Sequence, residues 1–260
     1  MKKSIFLFTM LFGLFSNAVA QKSWNGYEMQ EFTFKNKIAK IVIPKAPNKN
    51  RNWIWRARFW GHEPQVDLAL LARGFHLVYV DVADLYGNAE AVKLWNLFYK
   101  HITQKYELNE KVVLEGFSRG GLIVYNWTVA NINKVACIYA DAPVCDIKSW
   151  PGGLGKGNGS TNDWKKCLKA YQLTTKSVNN YEGLPIYQAK NIAEAQIPII
   201  HVCGAADQIV PIAENTLLLK TNLEKYGSTM ELILKEGIGH HPHSLKNPTP
   251  IVDFILKHIK

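Results

Sequence analysis

Residues 111–127 read Lys-Val-Val-Leu-Glu-Gly-Phe-Ser-Arg-Gly-Gly-Leu-Ile-Val-Tyr-Asn-Trp and pass from an apolar strand pattern to an apolar helical one through Gly116-Phe117-Ser118-Arg119-Gly120. No other stretch restricts the fold as tightly. A serine at so abrupt a strand-to-helix reversal projects its hydroxyl from a sharp, strained turn, so the residues two before and two after it must be small. Gly116 and Gly120 meet that demand, and Gly121 leaves room for the helix to pass close to the strand. The first helical N–H groups, Arg119's among them, point toward any negative charge near Ser118. The same pentapeptide also occurs in ordinary Gly- and Ser-rich turns, so a chemical reading requires partners downstream in the order acid, then histidine.

Both partners occur in suitable places. The apolar run Ile197-Pro-Ile-Ile-His-Val-Cys-Gly204 ends in a loop carrying Asp207, and Met230-Glu-Leu-Ile-Leu-Lys ends in a loop carrying Gly239, His240, His241 and His243. A serine hydroxyl is a weak nucleophile until an imidazole removes its proton, and a carboxylate keeps that imidazole in the useful tautomer. Ser118, Asp207 and His240 supply one group for each role. Two alternatives stay open: His241 beside His240 as the base, and Asp141, at the end of the apolar run Val135–Ala140, as the acid. His243 reads as structural or substrate-facing. An Asp after a strand usually caps the next helix, and a lone His is usually packed or solvated; their joint order raises these residues above that background.

With Gly116-Phe-Ser-Arg-Gly120, Gly204-Ala-Ala-Asp207 with Val210-Pro211, and Gly239-His240, the chain resembles the α/β-hydrolase superfamily over nearly all of its length after the leader. Within it the chain is similar to secreted bacterial carbohydrate esterases, including pectin methylesterase-like members, and more distantly to prolyl-oligopeptidase-type hydrolases. The resemblance implies that the base directly follows the Gly, which favours His240. It implies an oxyanion hole made by the backbone N–H of Arg119 and a second donor after the third strand of the fold. Lipases often carry His-Gly-Gly-Gly there; this chain reads Asn52-Trp-Ile-Trp-Arg56-Ala57-Arg-Phe-Trp60, and the second donor is expected at Arg56 or Ala57.

Periodicity predicts strands near residues 31–34, 40–43, 53–55, 75–82, 112–115, 135–140, 199–202 and 231–235, and helices over 64–73, 89–105, 121–129, 212–226 and 250–259. Early hairpin-like strands followed by alternation point to an α/β-hydrolase fold: a mostly parallel central sheet, helices on both faces, and the site at the C-terminal strand ends. Residues 144–195 break the alternation with a Gly-, Asn- and Lys-rich loop and a short helical patch around 164–171. They are expected to form a substrate-covering cap within a single domain spanning 21–260. The Gly-x-x-x-x-Gly-Lys-Ser/Thr order of a phosphate loop is absent there, which argues against nucleotide binding.

Composition sets the class. Lys2 and Lys3, the apolar run that follows and Ala18-Val19-Ala20 make residues 1–20 a signal peptide, so the expected location is periplasmic or secreted, with no membrane span. Lys and Arg total 31 against 21 Asp and Glu, a formal net charge of +10, and the chain stays basic without its leader. No nucleic-acid module accompanies that charge. It fits solvated lysines or the steering of an anionic substrate such as a uronate-containing polysaccharide. Cys137 and Cys203 read as small core residues, while Cys145 and Cys167 flank a loop and suit a disulfide in an oxidising compartment. The histidine cluster lacks a CxxC-like partner or a His-x-x-x-His helix, so neither a metal nor another cofactor is expected.

Aromatic residues fill cores and also stack on sugars. Trp55, Trp60 and Trp150 are the substrate-facing candidates, Trp95 and Trp127 read as packing, and Asp81, Asp84 and Tyr86 lie on the same edge as Ser118. The combined expectation is a secreted serine esterase acting on an acetyl or methyl ester of a polysaccharide. Ester is preferred to peptide because no propeller or other gating domain is legible. A secreted prolyl-oligopeptidase-type peptidase and a non-catalytic glycan-binding protein on the same scaffold are the alternatives.

Overall fold

The computed structural model describes residues 20–259; the expected leader lies outside them except for its last residue. Nine strands form one sheet in the order β1-β2-β3-β5-β4-β6-β7-β8-β9. They are β1 (Ala20–Trp24), β2 (Tyr27–Phe34), β3 (Lys37–Ile43), β4 (Trp53–Arg56), β5 (His76–Val80), β6 (Val112–Phe117), β7 (Val135–Asp141), β8 (Ile199–Gly204) and β9 (Glu231–Lys235). The first three are antiparallel, β3 also runs antiparallel to β5, and β4 to β9 are mutually parallel. The helices are α1 (Gln65–Leu71), α2 (Ala89–Tyr106), α3 (Gly120–Ala130), α4 (Thr161–Tyr171), α5 (Ala189–Glu194), α6 (Thr216–Glu224) and α7 (Thr249–His258). This is the α/β-hydrolase fold.

The central strands are buried on both faces because successive side chains point to opposite sides. Val112 and Leu114 of β6 join Trp53, Trp55, Val78 and Ile138 beneath α2, α3, α5 and α6. Val113 and Phe117 join Ile54, Leu77 and Cys137 beneath α1 and α7. Helix α2 shows how local chemistry fixes an element. The Asn88 side chain accepts from the Glu90 and Ala91 N–H groups, and Ala91, Trp95, Phe98 and Ile102 form its buried stripe.

Three elements differ from expectation. Strand β1 was not predicted, because its residues after Ala20 are mostly polar; it pairs with β2 through Asn25-Gly26, both at positive φ, a two-residue turn suited to a twisted hairpin. Helix α5 is a single short Ala-rich turn and a half without a periodic signature. Helix α6 starts at Thr216, not Ile212, because Asn215 bends away and its side-chain oxygen accepts from the Cys145 and Asp146 N–H groups. All four cysteines are free and buried, so Cys145 and Cys167 form no disulfide. Burial pushes the Cys167 and Cys203 thiols up to about 12 and raises Cys137 and Cys145 as well. Among the described residues no helix is long and apolar enough to cross a membrane.

Candidate active site

Four parallel strands deliver the polar side chains to one edge. Ser118 follows β6, Asp141 ends β7, Asp207 lies three residues past β8, and His240 lies in the loop after β9. Ser118 sits at φ +50°, in the left-handed region that costs a non-glycine residue energy. Its N–H donates to the Asp141 carbonyl (2.8 Å), and its own carbonyl accepts from Val144 (2.9 Å) and Gly121 (3.0 Å). The strained turn is thus fixed on both sides. A Cβ at Gly121 would come within 2.7 Å of Pro143 and 2.9 Å of the Val144 carbonyl, so only glycine lets α3 start this close to the loop after β7. Gly204 does the same for the other half of the site: a Cβ there would meet the Gly239 carbonyl at 2.0 Å. Its absence lets the Asp207 and His240 loops touch.

The three sequence candidates meet. Asp207 Oδ2 is 2.7 Å from His240 Nδ1, and His240 Nε2 is 3.0 Å from Ser118 Oγ. Asp207 Oδ1 accepts from the Ile209 and Val210 N–H groups (2.9 Å each), which orients the other oxygen toward the ring. All three residues are less than a tenth exposed. The arrangement can move a proton from Ser118 onto His240 while the carboxylate stabilises the imidazolium.

Asp141 is committed elsewhere. Its Oδ1 lies 2.7 Å from His243 Nδ1, and its Oδ2 accepts from the Ser244 N–H (2.7 Å) and the Tyr139 hydroxyl (3.2 Å). A second buried acid–histidine pair therefore stands beside the first, a relation sequence reading missed because no motif marks residues so far apart. His241 is exposed between them. Crowding of its ring away from water, then the neighbouring His243, His240 and His62, hold it below the ordinary imidazole value.

Arg56 is not an oxyanion donor. It is the last residue of β4, flanked by Tyr79 of β5 and Glu115 of β6, and its side chain is buried. Its guanidinium pairs with Asp67 and Glu115 and donates to the carbonyls of Arg58 (3.3 Å), Phe59 (3.1 Å) and His62. Burial opposes its charge, but the two carboxylates outweigh that and raise its pKa. Burial also drives Glu115 well above the ordinary carboxylate range, with the neighbouring Asp67 carboxylate adding to it. The buried trio ties down the loop after β4. Ala57 is excluded as well, since its N–H donates to the Glu115 carbonyl (2.9 Å). The next N–H along, that of Arg58, has no protein acceptor among the described residues, and neither has that of Arg119. Arg58 packs against Gly120 at the start of α3.

Trp55 is not at the surface either. It is fully buried and stacks on Trp95 at 3.9 Å, with Trp53 and Trp127 completing the cluster. Trp150 is partly exposed, and the Arg119 guanidinium lies 5.8 Å from its ring. Trp60 helps line a cleft of about 420 Å³ that contains Ser118, His240, His241, His243 and His62. A larger cleft of about 620 Å³ opens beside Arg119 and Arg58 and is bordered by Tyr86, Asp163, Lys166 and Lys169. Asp84 borders it too and pairs with Lys37, whereas Asp81 accepts from the Ala83 N–H. Segment 144–195 reaches this edge: Asp163 of α4 accepts from Tyr86 (2.6 Å) and Arg119 (3.1 Å), and the Tyr171 hydroxyl donates to the Tyr86 carbonyl (2.9 Å).

Among solved structures the chain is similar to Pyrococcus horikoshii acylaminoacyl peptidase (12% identity, TM-score 0.65, 94% of this chain and 42% of that one). It is also similar to an acylaminoacyl peptidase in complex with Z-Gly-Gly-Phe-chloromethyl ketone (14%, 0.62, 82% and 38%). A third is a Bacteroides ovatus protein assigned as a dipeptidyl aminopeptidase IV (12%, 0.64, 94% and 36%). At these identities the likeness is one of fold, and the chain spans well under half the length of each. No curated protein matches its sequence. A sequence model of the Prolyl oligopeptidase family matches residues 79–260. That match begins within β5 and takes in the Ser118 turn, the Asp207 loop and the His240 loop, so this chain belongs to the prolyl oligopeptidase family.

Proposed function

We propose that the chain hydrolyses acyl bonds through a covalent intermediate on Ser118, with His240 as general base, Asp207 as its orienting acid, and a peptide or acylaminoacyl amide as the first substrate class. The unbroken hydrogen-bonded relay from Asp207 through His240 to Ser118 carries this reading. Ser118 Oγ attacks the carbonyl carbon while His240 Nε2 takes its proton. The carbonyl oxygen becomes an anion facing the N–H groups of Arg119 and Arg58. Collapse breaks the bond to the leaving group, which takes the proton from Nε2, and a water deprotonated by the same nitrogen then releases the acid. Membership of the family supports amide over ester, as does the peptide chloromethyl ketone bound by a structural relative.

A second reading, an acetyl or methyl ester on an anionic polysaccharide, draws on the larger cleft. Arg58, Lys166 and Lys169 border it, and Trp150 offers a ring beside Arg119. Cations there would attract a uronate and the ring would stack on a sugar. Segment 144–195 acts as the cap over that cleft in either case, and the leader exports the chain from a bacterial cytoplasm.

The test assays protein and Ser118→Ala control on acylaminoacyl and aminoacyl p-nitroanilides, p-nitrophenyl acetate, and an acetylated, methylated pectin. Amide cleavage that falls by about 10⁴-fold or more in Ser118→Ala is expected, the remainder coming from oxyanion stabilisation and binding. Full turnover by Ser118→Ala would overturn the covalent route. Serine-dependent acetate or methanol with no amide cleavage would move the substrate to the ester class, and glycan binding without any turnover would leave a binding protein.

A further inference from the structure

Three histidines of the loop after β9 have converged on one point beside Ser118. The ligand-capable atoms of His240, His241 and His243 all lie within 4.8 Å of one another. Their ring centroids are 4.8 to 4.9 Å apart. His62 stands edge-on to His241 and His243 at 6.0 and 5.9 Å, and its carbonyl is anchored by the buried Arg56. All four rings line the same cleft as the serine.

Catalysis by the triad uses one of these rings. The organisation of the others has a different chemical sense. His240 and His243 each commit Nδ1 to a buried carboxylate, Asp207 and Asp141 respectively, at 2.7 Å. A carboxylate on one ring nitrogen fixes the orientation and raises the basicity of the other, which is the outer-shell arrangement of a metal-bound histidine. Nε2 is then the atom each ring has left to offer. His241 supplies a third imidazole from the solvent side. Three histidines plus an open position suit a borderline divalent transition metal with Zn–N bonds of about 2.0–2.1 Å. Neighbouring nitrogens around such an ion are separated by about 3.3 Å, against the 4.8 Å within which the three ligand atoms lie, so the loop after β9 must draw inward for the rings to share one ion.

We infer that His240, His241 and His243 form a binding site for a divalent transition metal, Zn²⁺ in the first instance, and that its occupation switches the hydrolase off. The metal takes the lone pair on His240 Nε2 that otherwise receives the Ser118 proton, so nucleophile and base are uncoupled without any change in fold. No bond in a substrate is made or broken by the ion, and its removal restores the relay. The inhibitory half rests on the triad reading above; the binding half does not.

The experiment separates them. Untagged Ser118→Ala protein, stripped with chelator, is titrated with Zn²⁺ alone by calorimetry beside Ser118→Ala/His241→Ala. One ion per chain is expected in the first, and affinity weakened by about tenfold or more in the second. His241 is exposed and outside the hydrogen-bonded relay, and the effect of Zn²⁺ on each variant is read relative to that variant's own metal-free turnover. In parallel, p-nitrophenyl acetate hydrolysis by the otherwise unaltered protein should fall with Zn²⁺ over the concentration range that calorimetry reports and return on adding EDTA. The single His241→Ala variant should need about tenfold more Zn²⁺. No saturable binding up to about millimolar Zn²⁺, or equal affinity with and without His241, overturns the site. Binding through His241 with unchanged turnover overturns the switch. Ester turnover that survives Ser118→Ala defeats the triad reading while leaving the calorimetry interpretable.

Discussion

Two aspartates compete for two histidines at the edge of this sheet, and the backbone decides the pairing. Asp207 has its Oδ1 held by Ile209 and Val210, so only Oδ2 is available, and it faces His240. Asp141 divides itself between His243 and the Ser244 N–H. The two therefore fail differently when neutralised. Asp207→Asn should lower kcat by about 10⁴-fold, because an amide favours the wrong tautomer of the base. Asp141→Asn should leave most turnover but cost about 1.5–3 kcal/mol of stability through lost charge-assisted hydrogen bonds. Steady-state kinetics with urea unfolding of both variants check the pair, and the reverse ranking would make Asp141 the working acid. Single residues were legible in the sequence where a local pattern announced them. Ser118 had glycines at fixed offsets, and Asp207 and His240 each followed an apolar run. Asp141–His243 had no such announcement, since the partners are 102 residues apart and meet only because β7 and the loop after β9 share an edge.

At the scale of elements, the loop after β4 shows what sequence patterning cannot carry. Strand β4 reads Trp53-Ile-Trp-Arg56, and alternation alone does not say that α1 and α2 will bury both its faces. Trp55 and Arg56 looked like edge residues for that reason; one became part of an indole cluster and the other the buried clamp of residues 58–62. The clamp makes a prediction at its own scale. Arg56→Met leaves Asp67 buried beside Glu115 without its counter-charge and should destabilise the fold by about 3–5 kcal/mol. Glu115→Gln should cost less, because burial already works against the charge on Glu115. Urea midpoints of the two variants test this, and an equally damaging Glu115→Gln would mean that Glu115 carries charge. The hairpin turn at Asn25-Gly26 was readable in principle, as an Asn-Gly pair between extended segments is a strong hairpin signal. It was obscured by the polar character of β1.

For the molecule as a whole, the alternation of strands and helices was enough to give the layered architecture and the edge on which the site sits, since the parallel connections leave few other topologies. Its stability should also carry a pH signature set far from that edge. His201 is wholly buried against Tyr125 and Thr216 and is pushed down to about 3, while burial and then Arg51 hold His76 at about 4. Both are neutral in the folded chain, whereas the unfolded chain protonates them near 6.5. As pH falls below that value the unfolded state binds more protons, so stability declines, by up to about 1.4 kcal/mol per pH unit for each ring, until the folded values are reached. Urea unfolding between pH 7 and 4.5 should show this slope, and His201→Gln should flatten it. The four sequestered thiols have a practical outcome. With every native thiol buried and at least three of them well short of ionising at neutral pH, a maleimide dye should ignore the folded chain. One cysteine introduced on the surface of α4 would then be the sole point of attachment, giving a fluorescent reporter of how that helix moves over the cleft during turnover.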